Sequence, residues 1–150
     1  MDKELAVQSL TDTMAKFTAY IGKRLPKDVK SKLIELKTLE TNPLAKSIYD
    51  SMDENQEAAD RLNRPSCQDT GVIQYFVEAG AHFPQLGELQ EILREATEEA
   101  TRTGPLRHNA VETFDEKNTG TNTGTQIPWL DWRIVPEQDT CTIDVYMAGG

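Results

Sequence analysis

The sequence predicts an α+β fold in a single domain over residues 1–150. Helices are expected in the N-terminal two-thirds, a short strand after a loop at Cys67, and an antiparallel β-hairpin at the C-terminus. Apolar residues recur every three or four positions before that loop, which is typical of amphipathic helices. A short run rich in β-branched and aromatic residues follows at 72–77, and apolar and polar residues alternate over 141–147. Both of these patterns indicate strands.

The first three predicted helices follow from apolar spacing and from end signals. The first stripe covers residues 10–25 and stops at Pro26, because proline removes a helical hydrogen-bond donor. The second stripe covers 29–39. The third helix is predicted to begin at Asn42–Pro43, since asparagine favours the N-cap and proline the first helical position. We interpret all three stripes as core-facing.

The remaining elements are a fourth helix and two strands. An apolar stripe over 86–100 ends at Gly104–Pro105, a common stop signal. Residues 129–135 and 141–147 are the two predicted strands, and the short link 137–140 predicts that they pair as an antiparallel hairpin. We expect apolar surface on this hairpin to be exposed, with self-association or dependence on a partner as the consequence.

Charge and apolar content exclude several classes of protein. The net charge of −9, from 16 basic and 25 acidic residues, argues against general nucleic-acid binding. No apolar run reaches the about 18 residues of a membrane span. Residues 1–4 lack the pattern of a secretory signal, so a cytoplasmic location is expected. The two cysteines, Cys67 and Cys141, are then not expected to form a disulfide, and without a CxxC pair a self-contained zinc site is not predicted.

The loop 63–71 concentrates reactive side chains. Cys67 has three open interpretations: a buried free cysteine, a nucleophile with His108 as its base, or a ligand of a metal or cluster. Gln68 and Asp69 are candidates to hold a proton or a polar ligand. These residue types are not needed to make a turn, so the loop is a candidate functional site.

A second candidate site follows the fourth helix. Arg107 is interpreted either as a surface ion-pair residue or as a bidentate clamp for a carboxylate. The segment 118–124, in which Asn-Thr-Gly occurs twice, is either a plain loop or a run of backbone amides that faces an anion.

These motifs together resemble those of the class I fumarate hydratase family, and most of all its tartrate-dehydrating members. The similarity is carried by Arg-Pro-Ser-Cys-Gln-Asp-Thr-Gly at 64–71, Pro-Leu-Arg-His-Asn at 105–109, Asn-Thr-Gly-Thr-Asn-Thr-Gly at 118–124, Ile-Pro-Trp at 127–129 and Tyr-Met-Ala-Gly-Gly at 146–150. The resemblance implies an iron–sulfur hydro-lyase that removes water from a 2-hydroxy dicarboxylic acid. L-tartrate, giving oxaloacetate, is the first expectation, and malate, giving fumarate, is the alternative.

The resemblance also implies roles for individual residues. Cys67 matches the first of three cysteine ligands of a [4Fe–4S] cluster, while Gln68 and Asp69 match residues beside the substrate. Asp69 is the candidate catalytic residue in this chain. Arg107 matches the arginine that binds a substrate carboxylate, and Gly149–Gly150 match the start of a glycine-rich turn whose amides face the substrate.

One departure from the family pattern limits what this chain is expected to do. The resemblance places two further cluster cysteines beyond Gly150, and Cys141 matches neither, so Cys141 is interpreted as core. We therefore expect an N-terminal portion, truncated after Gly150, that is inactive alone and joins a beta subunit or C-terminal domain in a hetero- or homo-oligomer. The non-enzymatic alternative is a helical interaction module with a structural Cys67.

Overall fold

The structure is a computed structural model that describes residues 2–67 and 69–149. The described residues form helices and a three-stranded mixed sheet, which confirms the predicted α+β class. In chain order the elements are α1 Lys3–Ile21, α2 Lys27–Leu39, α3 Pro43–Leu62, β1 Val72–Gly80, α4 Leu89–Thr103, β2 Trp129–Val135 and β3 Cys141–Ala148.

Local sequence signals set the ends of the helices. At the start of α3, Asn42 Oδ1 accepts a hydrogen bond from the Leu44 N–H at 2.9 Å, with Pro43 in the first turn as predicted. Helix α1 ends at Ile21, earlier than the apolar stripe indicated. Helix α4 begins later than predicted, because residues 84–88 form turns before it.

The sheet has the strand order β2–β1–β3. Strand β1 pairs in parallel with β2 and antiparallel with β3, so each of the C-terminal strands lies at an edge. The predicted hairpin between 129–135 and 141–147 is therefore wrong, since its two strands do not pair with each other. Their alternation correctly predicted two strands, but it contained no information about a partner earlier in the chain.

The link between β2 and β3 explains how β1 comes to lie between them. Backbone bonds run from the Gly80 N–H to the Thr140 carbonyl at 2.8 Å and from the His82 N–H to the Gln138 carbonyl at 2.8 Å. A Cβ atom at Gly80 would lie 2.2 Å from the Gln138 carbonyl oxygen. The missing side chain thus lets the link cross closely over the end of β1.

One face of the sheet is covered by α1 and α4, which pack against each other. At the centre, the fully buried Tyr75 places its hydroxyl 3.0 Å from Thr18 Oγ1 on α1 and 3.0 Å from Thr97 Oγ1 on α4. This phenol joins α1, β1 and α4 by hydrogen bonds. The buried apolar cluster consists of Met14, Ala15, Ile73, Tyr75, Val77, Ala79, Leu89, Leu93, Ala96, Ala100 and Leu106.

Helices α2 and α3 do not present their stripes to this core, which corrects the core-facing interpretation. Helix α2 has no buried residue, and Ala59 is the buried residue of α3. The two helices lie against each other, and Lys37 Nζ lies 2.8 Å from an Asp50 oxygen and 2.6 Å from an Asp53 oxygen. Leu44 remains 72% exposed. A two-helix contact buries less surface than a layered core, so part of each stripe stays open.

Apolar surface is also exposed on the two C-terminal strands, as expected. Trp129 and Ile134 on β2 and Tyr146 on β3 are each at least half exposed. None of the described helices has the length and apolar character needed to cross a bilayer.

Candidate functional site

The loop between α3 and β1 carries Cys67. It begins at Asn63, whose φ of 50° ends α3 in the left-handed conformation that asparagine tolerates. The Ser66 N–H donates to the Gly22 carbonyl at 3.2 Å, and the Ser66 carbonyl accepts from Asn55 Nδ2 at 2.7 Å. The end of α1 and the side of α3 therefore fix the residue immediately before Cys67.

Cys67 is exposed, which excludes the interpretation as a buried core cysteine. It lines a cavity of about 770 Å³. His108, the base that a nucleophilic cysteine would need, lines a different cavity of about 490 Å³ beside Glu98 and Arg102. The structure does not bring the two side chains together. An accessible thiol on a cavity wall fits the third interpretation, a ligand of a metal or cluster.

The described residues do not form a complete metal site. No group of three or more His, Cys, Asp and Glu side chains among them is arranged to hold a metal ion. Cys141 lies on β3 and packs against the core, as expected, and burial raises the pKa of its thiol. A raised pKa disfavours the thiolate that a metal requires. Of the two thiols, that of Cys67 is therefore the better suited to bind a metal.

Asp69 and Thr70 connect the Cys67 loop, residues 63–71, to the Arg107 loop, residues 105–110. Asp69 Oδ1 accepts hydrogen bonds from the Gly71 N–H at 2.8 Å and from Asn109 Nδ2. The hydroxyl oxygen of the buried Thr70 accepts from the Arg107 N–H at 2.7 Å. The two loops are far apart in the chain, but these bonds bring them to one place.

The start of β1 brings the end of β3 to the same place. Gly71 has a φ of 74°, and a Cβ atom there would lie 2.2 Å from the Ala148 carbonyl oxygen, so only glycine fits. Ala148 pairs with Val72 in the antiparallel ladder. A Cβ atom on the next residue, Gly149, would lie 3.5 Å from the Asp69 carbonyl oxygen. The structure thus places Gly149 beside Asp69.

Asp69 lines two cavities. The smaller has a volume of about 380 Å³ and is lined by Asp69, Gly71, Val72, Asn109 and Ala148. The larger, of about 770 Å³, runs from the end of α1 past Cys67 to β3. Both volumes lie within the range of small-molecule sites. Asp69 is therefore the residue that lines both the space near the Arg107 loop and the space near Cys67.

Arg107 is exposed, and its loop reaches the smaller cavity through Asn109. The guanidinium is therefore accessible to an anion, while the backbone that carries it is fixed by Thr70. Gln68 and Gly150, two of the predicted substrate-binding residues, lie outside the described residues.

Some residues of the site received no role in the sequence analysis. Thr70 and Asn109 make the bonds between the loops, and Asn122 holds the backbone of the Arg107 loop. For Asn122, the repeated Asn-Thr-Gly at 118–124 was the sequence pattern that could have indicated a role. The segment is a loop, as the first of the two interpretations expected, and its asparagine side chains bind the neighbouring loop.

Comparison with known proteins supports the family resemblance that the sequence motifs indicated. The family model for fumarate hydratase (Fumerase) matches residues 11–150. The chain is 56% identical over 149 residues to the L(+)-tartrate dehydratase subunit alpha of Escherichia coli K12, covering 99% of this chain and 49% of that protein. The subunit from Shigella sonnei matches to the same extent. A putative L(+)-tartrate dehydratase subunit alpha from Methanocaldococcus jannaschii is 32% identical over 109 residues, covering 71% of this chain and 38% of that protein.

The chain spans about half the length of the curated relatives it matches. The matched range includes every motif on which the resemblance was based, from the Cys67 loop to the C-terminal glycines. The geometry adds that the Cys67 loop, the Arg107 loop and Gly149 meet around Asp69. On the extent of the family match, the chain belongs to the fumarate hydratase (Fumerase) family.

Proposed function

We propose that this chain is the cluster-binding N-terminal part of the alpha region of an iron–sulfur hydro-lyase, with residues 1–150 as one domain. The reaction is elimination of water from a 2-hydroxy dicarboxylic acid, with L-tartrate as substrate and oxaloacetate as product. The observation that carries the proposal is the junction of Asp69 with the Arg107 loop beside a small cavity. The names of the relatives supply the choice of L-tartrate.

The polar residues of the site bind and orient the substrate in this proposal. Arg107 binds one substrate carboxylate, since a guanidinium can donate two parallel hydrogen bonds to it. Gln68 and the amides of Gly149 and Gly150 contact the remainder of the dicarboxylate. Asp69, held by Gly71 and Asn109, is the catalytic residue and moves a proton to or from its carboxylate oxygen.

Cys67 is proposed as one of three cysteine ligands of a [4Fe–4S] cluster. Its exposed thiol lines the larger cavity that also reaches Asp69, so a group held there would face the substrate. When bound, the cluster supplies an open iron that polarises the carbon–oxygen bond as a Lewis acid. The other two cysteines are proposed to come from the remainder of the protein.

The elimination breaks a carbon–hydrogen bond and a carbon–oxygen bond on adjacent carbons and forms a double bond between them. The proton of the carbon–hydrogen bond passes to a base, the electron pair of that bond becomes the new π bond, and hydroxide leaves with the carbon–oxygen pair. With tartrate the product is an enol that tautomerises to oxaloacetate. With malate the product is fumarate, and that activity is the second candidate because the matching family model is named for it.

The relatives are alpha subunits, which supports a beta subunit or C-terminal domain as the partner, in a hetero- or homo-oligomer. We place the assembly in the cytoplasm, since an exposed thiol such as Cys67 stays reduced there. The non-enzymatic candidate, a helical interaction module, is favoured by the exposed apolar side chains of α2 and α3. That candidate requires Cys67 to be a structural residue of the core, and the exposure of Cys67 argues against this.

The test is an anaerobic assay of water elimination by the assembly that contains this chain, with L-tartrate and malate in parallel reactions. Faster formation of oxaloacetate from L-tartrate supports the proposed substrate. Faster formation of fumarate from malate moves the protein to the second candidate. If neither acid is converted while iron and sulfide are present at cluster stoichiometry, the proposed reaction is wrong.

A further inference from the structure

We propose that Asn122 is a positioning residue that holds the Arg107 loop in register with Asp69. The inference deepens the proposed function and rests on it, because Arg107 is taken as the residue that binds the substrate carboxylate. It assigns a role to the segment 118–124, which is hydrogen-bonded to the Arg107 loop. No residue of this segment lines the smaller cavity at Asp69.

Both ends of the Asn122 side-chain amide are hydrogen-bonded, to this loop and to α4. Its Oδ1 accepts from the Asn109 N–H at 2.7 Å, and its Nδ2 donates to the Arg107 carbonyl at 2.7 Å. The same Nδ2 donates to Thr101 Oγ1 on α4 at 3.2 Å. Asn122 is 2% exposed, so water cannot replace these bonds.

On α4, the residue that accepts from Asn122 is buried and is hydrogen-bonded within its own helix. Thr101 is buried on α4, and its hydroxyl donates to the Thr97 carbonyl at 2.8 Å, which leaves its oxygen to accept from Asn122. Two further bonds reach the loop from the same segment: Asn118 Nδ2 donates to the His108 carbonyl at 2.6 Å, and the Thr119 N–H donates to the Ala110 carbonyl at 2.9 Å. The loop is thereby tied to the core helix through its neighbour.

The bonds continue from the loop to the catalytic carboxylate. Asn109, whose N–H is bound by Asn122, uses its own side chain to donate to Asp69 Oδ1. Arg107, whose carbonyl is bound by Asn122, donates its N–H to Thr70 Oγ1. A shift of Asn122 therefore moves both Arg107 and Asn109, which bind Thr70 and Asp69 respectively. Small displacements of binding groups have large effects on catalysis, up to about 100-fold for about 1 Å.

Asparagine suits this position for two reasons. Its φ of 57° lies in the left-handed region, which asparagine and glycine tolerate better than other residues. The site also needs one acceptor and one donor on the same side chain. Aspartate would keep the bond to the Asn109 N–H, but its second oxygen would face the Arg107 carbonyl, and two acceptors cannot bond to each other.

The backbone conformation of Asn122 and its side-chain donor and acceptor determine which variants test the inference. Asn122→Gly removes the side chain without backbone strain at this φ, and Asn122→Asp keeps the acceptor while losing the donor. Thr18→Val is the matched control, because it removes a buried hydrogen bond from the core on the far side of Tyr75 without touching either loop. Steady-state kinetics are measured on the intact assembly with the dicarboxylate that it turns over faster.

We expect Asn122→Gly to raise KM about 10- to 100-fold with a smaller change in kcat. Asn122→Asp should give an intermediate increase, and Thr18→Val should leave KM unchanged. In a double-mutant cycle, Asn122→Gly should raise KM by a smaller factor once Arg107→Ala is present, since the guanidinium that it positions is gone and only its effect through Asn109 and Asp69 remains. Equal KM values for Asn122→Gly and Thr18→Val, or fully multiplicative effects with Arg107→Ala, would overturn the inference.

A second measurement separates this inference from the proposed function. Hydrogen exchange followed by mass spectrometry should show faster exchange at the amides of Arg107 and Asn109 in Asn122→Gly than in Thr18→Val, whatever the substrate. If Arg107→Ala leaves KM unchanged, the proposed role of Arg107 is wrong, and exchange alone decides on Asn122. If exchange in the loop is equally slow in both variants, Asn122 does not hold the loop.

Discussion

At the scale of single residues, the two cysteines show how placement decides chemistry. Cys67 is exposed on a cavity wall, whereas Cys141 packs against the core and burial raises the pKa of its thiol. The residues alone left burial of Cys67 open, whereas the family resemblance implied a ligand role for Cys67 and the alternating strand pattern implied a core position for Cys141. Each cysteine is therefore the natural control for the other.

Cys67→Ser should remove most iron and acid-labile sulfide from the assembled protein, because serine replaces a thiolate ligand. Cys141→Ser should keep the iron and sulfide content and lower the free energy of unfolding by about 1 kcal/mol, through the hydroxyl placed in a half-buried apolar site. Both contents are measured on anaerobically purified protein. Retention of the full cluster by the Cys67→Ser variant would disprove the assignment of Cys67.

The bonds around Asp69 mark the limit of sequence reasoning at this scale. The motifs predicted that Asp69 and Arg107 belong to a site, and the structure places their loops together. The bonding partners Thr70 and Asn109 were not predicted, because a hydrogen bond between residues 37 to 40 positions apart depends on tertiary structure. The repeated Asn-Thr-Gly marked the segment that contains Asn122, but it did not predict the bonds of Asn122 to the neighbouring loop. Local pattern and propensity contain no information about such distances.

At the scale of elements, helix and strand positions followed from periodicity, while their partners did not. The hairpin prediction failed because two adjacent strands joined by a short link were assumed to pair. In the structure the link crosses the end of β1 at Gly80, and β1 takes both strands as neighbours. The stripes of α2 and α3 were correct as helices but wrong as core, since periodicity does not say what a helix faces.

Gly71→Ala should destabilise the fold by about 3 kcal/mol or more. The φ of 74° costs an alanine about 1–2 kcal/mol, and its Cβ would overlap the Ala148 backbone at 2.2 Å, so β1 and β3 must separate locally. Urea denaturation measures the change. Gly87→Ala is the matched control, because no atom lies within 4 Å of a Cβ there, and its effect should stay within about 0.5 kcal/mol. Equal stability of the two variants would contradict the close approach.

The buried phenol of Tyr75 should make the free energy of unfolding depend on pH in the alkaline range. Burial raises the pKa of its phenol, although hydrogen bonds with Thr18 and Thr97 oppose that shift. Because the pKa is higher in the folded state, the contribution to stability is complete below the unfolded value of about 10 and is lost as pH rises through the folded pKa.

Tyr75→Phe should therefore lower stability at neutral pH by about 1–2 kcal/mol, through loss of the buried hydrogen bonds, and flatten its decline above about pH 10. Urea midpoints at pH 7 and pH 10.5 measure both effects. Tyr49→Phe, on α3 and outside the buried core cluster, serves as the control and should follow the parent protein. A parallel decline of all three proteins would show that Tyr75 does not cause the alkaline loss.

At the scale of the whole molecule, the apolar surface is divided between a compact core and open faces. The core joins α1, α4 and the inner face of the sheet, whereas α2, α3 and both edge strands keep large apolar side chains exposed. Exposed apolar area of this kind marks interaction surfaces in soluble proteins. The expectation of self-association or dependence on a partner stays a prediction.

The 150-residue chain by itself should self-associate as its concentration rises, because association removes these apolar side chains from water. Sedimentation velocity over a concentration series measures the effect. Ile48→Glu should weaken the association, since it places a charge on the open face of α3, whereas Ser47→Glu adds the same charge at an exposed polar position and should change it less. A monomer at all concentrations would argue against an apolar interaction surface.

The central place of β1 has a consequence for the order of events in folding. Gly149 reaches Asp69 through the pairing of the start of β1 with the end of β3, a contact between Val72 and Ala148. Such long-range pairing is slow compared with helix formation, because the intervening chain must first close a large loop. The helices can therefore form while the candidate site is still absent, and this site should be among the last parts of the molecule to become ordered.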